Sequence, residues 1–197
     1  MPTGMMICHK NLKAEGDIDE QDFLDRAELL CSLGYTVMIS NYQKYYRLIE
    51  YFSRYTKARM GLILGVNSVG DIFNELYYRN LNGGILEAFG ILFTRDLKMY
   101  LYPSQENKKS ELLTGKNFRV HPRLKPLYDY LSQNNRLVDL EDYNPEYLSI
   151  FSREALKMIK TGDPRWEKMV PETARTIIME KNLFGYDETM VPVKSKS

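Results

Sequence analysis

Arg119, His121 and Arg123 bring two guanidinium groups and an imidazole into one short stretch, Arg119-Val120-His121-Pro122-Arg123-Leu124-Lys125. In extended backbone, alternate residues point to the same side, so this spacing predicts that all three share a face. Guanidinium groups hold carboxylates and phosphates through paired N–H donors, which makes the stretch a candidate anion clamp. Three polar segments that follow apolar runs are candidates to share the work: Ser40-Asn41, Gly65-Val66-Asn67-Ser68 with Gly70 and Asp71 beyond it, and Tyr102-Pro103-Ser104. The second is the most suggestive, because a strand, a loop and then a helix start would offer backbone N–H groups and the positive end of a helix dipole. Gly83-Gly84 offers the same before the next helix. Asn, Ser and Gly also cap helices with no ligand present, so both uses stay open. The ligand-binding set expected from this pattern is Ser40, Asn41, Gly65, Asn67, Ser68, Arg119, His121 and Arg123.

Catalytic signatures are sparse. GVNSVG is followed by no Gly-Lys-Ser/Thr and is not a GxGxxG fingerprint. There is no GxSxG elbow for a nucleophilic serine. Asp71, Glu75 and Glu87 fall on helices near the candidate edge. Asp17, Asp19, Glu20 and Asp22 form an acidic helix start, which the helix dipole alone favours. A zinc site would have to gather Cys8, His9, Cys31 and His121, with no CxxC pair among them, so no metal site is expected. No catalytic residue and no cofactor can be named.

The elements that must position these residues follow from apolar periodicity. Met5–Cys8 reads as a short strand. Phe23, Leu24, Ala27, Leu30 and Cys31 lie at helical spacing, with Gly34 as the stop and Cys31 as a small core residue. Thr36–Ile39 and Gly61–Leu64 read as buried parallel strands lying side by side. Between them, Tyr45, Leu48, Ile49 and Phe52 mark a helix that Ser40 or Asn41 would cap. A further helix carries Val69, Ile72, Phe73, Leu76 and Tyr77, the next Ile85, Leu86, Phe89 and Leu92, and Leu97–Tyr102 forms a third buried strand. Asn117–Val120 reads as a short strand, and from Pro122 onward the pattern is helical, with Ser152 and Pro171 at helix starts. The fold class expected is α/β: a small, mostly parallel sheet with helices on both faces in a doubly wound, Rossmann-like manner, followed by a C-terminal helical region. Residues 1–121 would form the α/β domain and residues 122–197 a helical subdomain or a C-terminal wrap on it. Ligands of such sheets sit outside the carboxyl ends of the strands, where the candidate residues fall.

Composition narrows the function classes. Hydrophobic residues make up 44% of the 197-residue chain, enough for a sizeable core, and 27% are charged with a net charge of +1. That balance points away from a dedicated nucleic-acid binder and from disorder. No apolar run nears the roughly 20 residues that span a bilayer, and the first residues lack the order of a signal peptide. A cytoplasmic protein with reduced thiols and no membrane partner is the expectation. Tyrosine is abundant, at 15 residues. The clusters at Tyr42, Tyr45, Tyr46, Tyr51, Tyr55, Tyr77 and Tyr78 suit half-buried helix faces or a homo-oligomer contact, with Tyr46 and Tyr78 as its test positions.

Two resemblances add to this. Phe23 to Asn41, FLDRAELLCSLGYTVMISN, resembles the second motif of haloacid dehalogenase-like phosphatases, in which a helix ending in Leu-Gly leads to an apolar strand ending in Ser/Thr-Asn. It implies that Ser40 is a phosphate ligand, although no DxD nucleophile motif precedes it. The whole chain, through LCSLGYTVMISN, YYRLIEYFSRYT, GGILEAFGILF, IFSREALKMIKTGDPRWEKMVP and LFGY, also looks like the C-terminal part of a family of larger uncharacterised bacterial proteins. Some of these carry the label nicotinate-nucleotide adenylyltransferase, whose HxGH and SxTxxR motifs this sequence lacks. That resemblance implies a bacterial cytosolic protein and a longer parent chain. The functional expectation is an anionic metabolite, a nucleotide or a sugar phosphate, bound at the carboxyl edge of the sheet. The alternatives are a phosphatase- or transferase-type enzyme at the same edge and an oligomerisation domain of a larger protein.

Overall fold

The computed structural model describes residues 4–8 as backbone, and residues 20–107 and 109–190 in full. The chain divides into two compact units, one formed by residues 1–43 with 150–197 and the other by residues 44–149. The division does not fall at 121/122, because residues 122–139 complete the core of the second unit. The fold class is α/β, with parallel sheets, packed helices and a helical C-terminal region.

In the first unit, β1 (Gly4–Cys8) pairs in parallel with β2 (Thr36–Ser40), Gly4 opposite Thr36 and Cys8 opposite Ser40. Between them runs α1 (Glu20–Ser32). It ends as its sequence predicts: Gly34 takes φ +85, its N–H donates to the Cys31 carbonyl at 2.9 Å, and the Tyr35 N–H donates to the Leu30 carbonyl at 3.1 Å. Only glycine takes that left-handed turn without strain. The face α1 turns inward is not the expected one. Asp25 is buried, whereas Leu24 and Cys31 are exposed. The Asp25 carboxylate accepts a hydrogen bond from the Gln21 side chain at 2.7 Å and another from the Phe184 backbone N–H, 159 residues along the chain. Phe184 sits at φ +60 in a tight turn after α7 (Glu172–Glu180), beside a core of Ile159, Trp166, Ile178 and Leu183. A buried carboxylate needs its partners, and this requirement fixes the rotation of α1. α6 (Ser152–Lys160) completes the unit, with Phe151 rather than Ser152 at its cap position.

In the second unit, α2 (Tyr45–Tyr55) buries Tyr46, Leu48 and Ile49 and leads to β3 (Gly61–Gly65). A five-residue helix, α3 (Ser68–Ile72), a 3-10 turn over Glu75–Tyr78 and α4 (Gly84–Leu92) cross to β4 (Lys98–Tyr102). α5 (Lys125–Gln133) then leads to β5 (Leu137–Asp139). The strands are all parallel in the order β3-β4-β5, with Gly61 opposite Lys98 and Met99 opposite Leu137. Leu64, Met99, Leu101 and Leu137 face a core shared with Val69, Phe73, Phe89, Leu92 and Tyr128, in which Phe73 and Phe89 meet edge to face at 5.0 Å.

Several expectations are corrected. β2 bonds to β1 and β3 to β4, so the strands ending at Ser40 and Gly65 belong to different ladders. Neither is fully buried, since Ile39 is 56% exposed and Ile63 69%. Asn117–Val120 joins no ladder, although its sidedness is as expected, with Phe118 and Val120 half-buried and Arg119 and His121 exposed. Tyr46 and Tyr78 are core residues, 2% and 6% exposed, rather than contact surface.

Candidate functional site

Strand order bears directly on where a ligand can sit. Parallel sheets bind guests where the order reverses and neighbouring crossovers part. The β3-β4-β5 order follows the chain without a reversal. Beyond the carboxyl ends of β4 and β5 the chain instead ties back onto itself. The stretch after β4 folds back in a one-pair antiparallel bridge, Ser104 with Leu113. It then crosses to β5, where the Asp139 carboxylate accepts the Gly115 N–H at 2.6 Å and the Lys116 N–H at 3.2 Å. A Cβ on Gly115 would lie 2.7 Å from Asp139 Oδ1 and 2.9 Å from Leu101 Cδ1, so a side chain here would have to displace the Asp139 carboxylate or the Leu101 methyl. Tyr128 adds a third tie by donating its hydroxyl to the Gly115 carbonyl at 2.6 Å. Burial, aided by the negative charges of Asp139 and Asp129, pushes the Tyr128 phenol up to about 12.

This strap decides the fate of the expected site residues. Asn67, at the end of β3, spends its side-chain amide on Ser104 Oγ at 3.0 Å. Neither Asn67 nor Ser68 makes a side-chain cap to α3, and with five residues α3 has little dipole to offer. Gly65 is exposed at the strand end. The Gly83 N–H, expected to be free for an anion, donates to Glu87 Oε2 at 2.8 Å. Ser40 and Asn41 end the β1–β2 ladder of the first unit, where Ser40 Oγ accepts the Tyr42 N–H at 3.2 Å. They do not cap α2, whose cap position is Lys44. Of the expected eight residues, Ser40 and Asn41 belong to the first unit and the other six to the second.

What the structure does bring together is Arg119 and His121, beside the strap. Having passed Asp139, the chain lays Phe118 against Tyr128, with near-parallel rings 6.4 Å apart. It then runs past α3, where a Cβ on Gly70 would lie 3.7 Å from Phe118 Cζ. Between this run and the α3–turn segment lies an open groove of about 350 Å³, lined by Gly70, Phe73, Asn74, Glu75, Leu76, Phe118, Arg119, Val120, His121 and Leu124. Its walls are mixed, with Leu76, Phe118 and Val120 beside polar groups; Arg119 and His121 bring basic groups from one side and Glu75 a carboxylate from the other. Arg123 reaches Glu75 at 3.4 Å across the surface. Leu76, expected in the core, is 56% exposed at the groove, because Asn74 Oδ1 accepts the Leu76 N–H at 3.1 Å and ends the helical run. Phe118, Leu76 and Asp139 carry no signal in the sequence that marks them as residues of the site. Among the described residues no three His, Cys, Asp or Glu side chains converge as metal ligands, and no helix is long and apolar enough to cross a membrane. The side chains of Cys8 and His9 lie outside the described residues.

No family model, curated protein or solved structure matches the chain. The chemistry of the groove thus stands on its own side chains: a guanidinium and an imidazole on one rim, a carboxylate opposite, and apolar side chains between them.

Proposed function

We propose that the second unit binds an anionic small molecule in the groove between Gly70–Leu76 and Phe118–Leu124. The observation that carries this reading is the exposed pair Arg119 and His121 on the rim of a concave site of about 350 Å³. Small-ligand sites are hollows of roughly 300–1,000 Å³ with a few convergent polar groups, and this groove matches them in size and in the convergence of Arg119 and His121. Arg119 supplies paired donors in a fixed fork, and His121 supplies one or two more. Gly65, Asn67 and Ser68 do not line this groove and are not needed for the ligand in this reading. Titration of the full chain with inorganic phosphate, AMP, glucose 6-phosphate and simple carboxylates, followed by backbone NMR, tests the idea. At least one anion should shift Leu76, Phe118 and His121 saturably, and Arg119→Gln should weaken it about tenfold. Silence of these residues at millimolar concentrations of every anion would refute the reading.

A further inference from the structure

We infer that two copies of this chain pair through the open edge of β3. Gly61–Gly65 of one copy lies antiparallel to Gly61–Gly65 of the other, about a twofold axis at Ile63. The inference is independent of the anion groove.

The two edges of the three-stranded sheet differ. Edge strands present unpaired N–H and C=O groups, and monomers blunt them with short strands, charges, prolines or bulges. β5 is three residues long and ends in Asp139, which the strap ties down. β3 has none of these devices. It runs five residues in unbroken register with β4 and carries no charge and no proline. Its middle residue, Ile63, is 69% exposed, and Gly61 and Gly65 are exposed on either side.

The hydrogen bonds to β4 show which groups face outward. Along a strand, the N–H and C=O of one residue point to one side and those of the next to the other. The Lys98 N–H donates to the Met60 carbonyl at 3.4 Å and the Val66 N–H to the Tyr102 carbonyl at 2.8 Å. Met60, Leu62, Leu64 and Val66 therefore face β4. The groups of Gly61, Ile63 and Gly65 point to the side where the sheet has no further strand. An antiparallel mate takes up such a row in matched pairs, each pair exchanging two bonds.

The sequence of the strand selects a second copy as that mate. Gly-Leu-Ile-Leu-Gly reads the same in both directions. Antiparallel pairing about Ile63 sets glycine against glycine, leucine against leucine and Ile63 against its own copy. Glycine in a strand suits the close approach of another backbone, and the exposed isoleucines cover each other. Charge fixes the direction. Lys57 and Arg59, just before β3, are exposed and make no ion pair among the described residues. Antiparallel pairing carries these cations to opposite ends of the shared ladder, with Arg59 facing the uncharged Asn67. Parallel pairing would set each beside its own copy. The twofold contact is closed, and the short β5 strands become the outer edges of the joined sheet.

The test uses the full chain. Sedimentation equilibrium over a dilution series gives the mass, and backbone N–H exchange is followed at Gly61, Ile63 and Gly65 in the same samples. A dimer is expected, in which these three groups exchange at least about tenfold more slowly than in the diluted monomer. Ile63→Lys and Ile63→Glu, at an exposed position, should each weaken the dimer about tenfold or more, because like charges then meet at the axis. A mixture of the two variants should associate more tightly than either alone. Should either variant fail to fold by circular dichroism, the exchange pattern of the parent chain decides alone. A monomer at every concentration would overturn the inference. So would a dimer whose Gly61, Ile63 and Gly65 N–H groups exchange freely, since its contact lies elsewhere. Slow exchange of these groups in the monomer would overturn it too, because another segment then covers the edge. Unchanged association of both folded variants would do the same.

Discussion

Replacing Asp139 with alanine removes one carboxylate and leaves two backbone donors, the N–H groups of Gly115 and Lys116, without their acceptor. Hydrogen bonds to a charged group contribute about 1.5–3 kcal/mol each where water is excluded. Lys116 is exposed and its bond is the longer, so water can replace that one at little cost; Gly115 is half-buried and its bond short. The loss expected for Asp139→Ala is therefore about 2–3 kcal/mol rather than the sum of two full bonds. With a urea slope of about 1–3 kcal/mol/M for a small protein, the midpoint should fall by roughly 1 M. The readout must come from the second unit, because the sole tryptophan, Trp166, lies in the core of the first. Hydrogen exchange at Met99 and Leu101 is suitable, since both are buried on β4. Asp139→Asn keeps one acceptor oxygen and should lose about half as much. The strap also sets where Phe118 and Arg119 lie, so the alanine variant should weaken anion binding in the groove while leaving Arg119 in place. A midpoint unchanged within error, or a loss from Asp139→Asn equal to that from Asp139→Ala, would refute this account of the strap.

Three further outcomes are expected. The phenol of Tyr128, raised to about 12 by burial, against about 10 in an unfolded chain, keeps its proton in the folded state while the unfolded state loses it. Its contribution to stability is intact below pH 10 and declines between about pH 10 and 12; ultraviolet titration of Tyr128→Phe beside the parent chain should show one fewer late-ionising phenol. Gly162→Ala should cost the first unit about 1–3 kcal/mol, because Gly162 has φ +68 and a Cβ there would lie 2.5 Å from the Met190 carbonyl oxygen; a melting temperature unchanged in the variant would contradict this. Tyr78→Phe removes the hydroxyl that donates to the Ile72 carbonyl at 2.7 Å and should cost about 1 kcal/mol, whereas Tyr78→Asp should unfold the second unit and not merely alter its association, as far-ultraviolet circular dichroism would report.

Periodicity carried most of the elements. The apolar spacing of α2, α4 and α5 and the runs of β3 and β4 were legible because each buries residues of a stripe or a face, and hydrophobicity records burial; β2 was legible from its β-branched and apolar residues, although it buries none of them fully. β5 was not, because a three-residue strand has no period of its own and forms only against β4. Asn117–Val120 shows the converse: alternation reports which side chains face inward, and the backbone can alternate without a ladder. Leu76 was misjudged because Asn74 competes for the backbone donor that a continuing helix would use. Cys31 was misjudged because one buried acid, Asp25, outweighs a weak apolar stripe in turning α1. At the site, the clamp residues Arg119 and His121 stood out by spacing. Their setting depends on Asp139, Tyr128 and Gly115, whose contacts span 13 and 24 positions and leave no local trace.

The hydrogen bond between Asp25 and Phe184 gives synthesis on the ribosome an order. Residues 44–149 are contiguous and have every partner of their own core once they have emerged, whereas α1 emerges early and must wait for its acceptor to meet a donor 159 residues later. Until then the Asp25 carboxylate lacks the Phe184 donor, although α1 can already pack on β2. Limited proteolysis of nascent chains should therefore find residues 44–149 protected before the residues of the first unit.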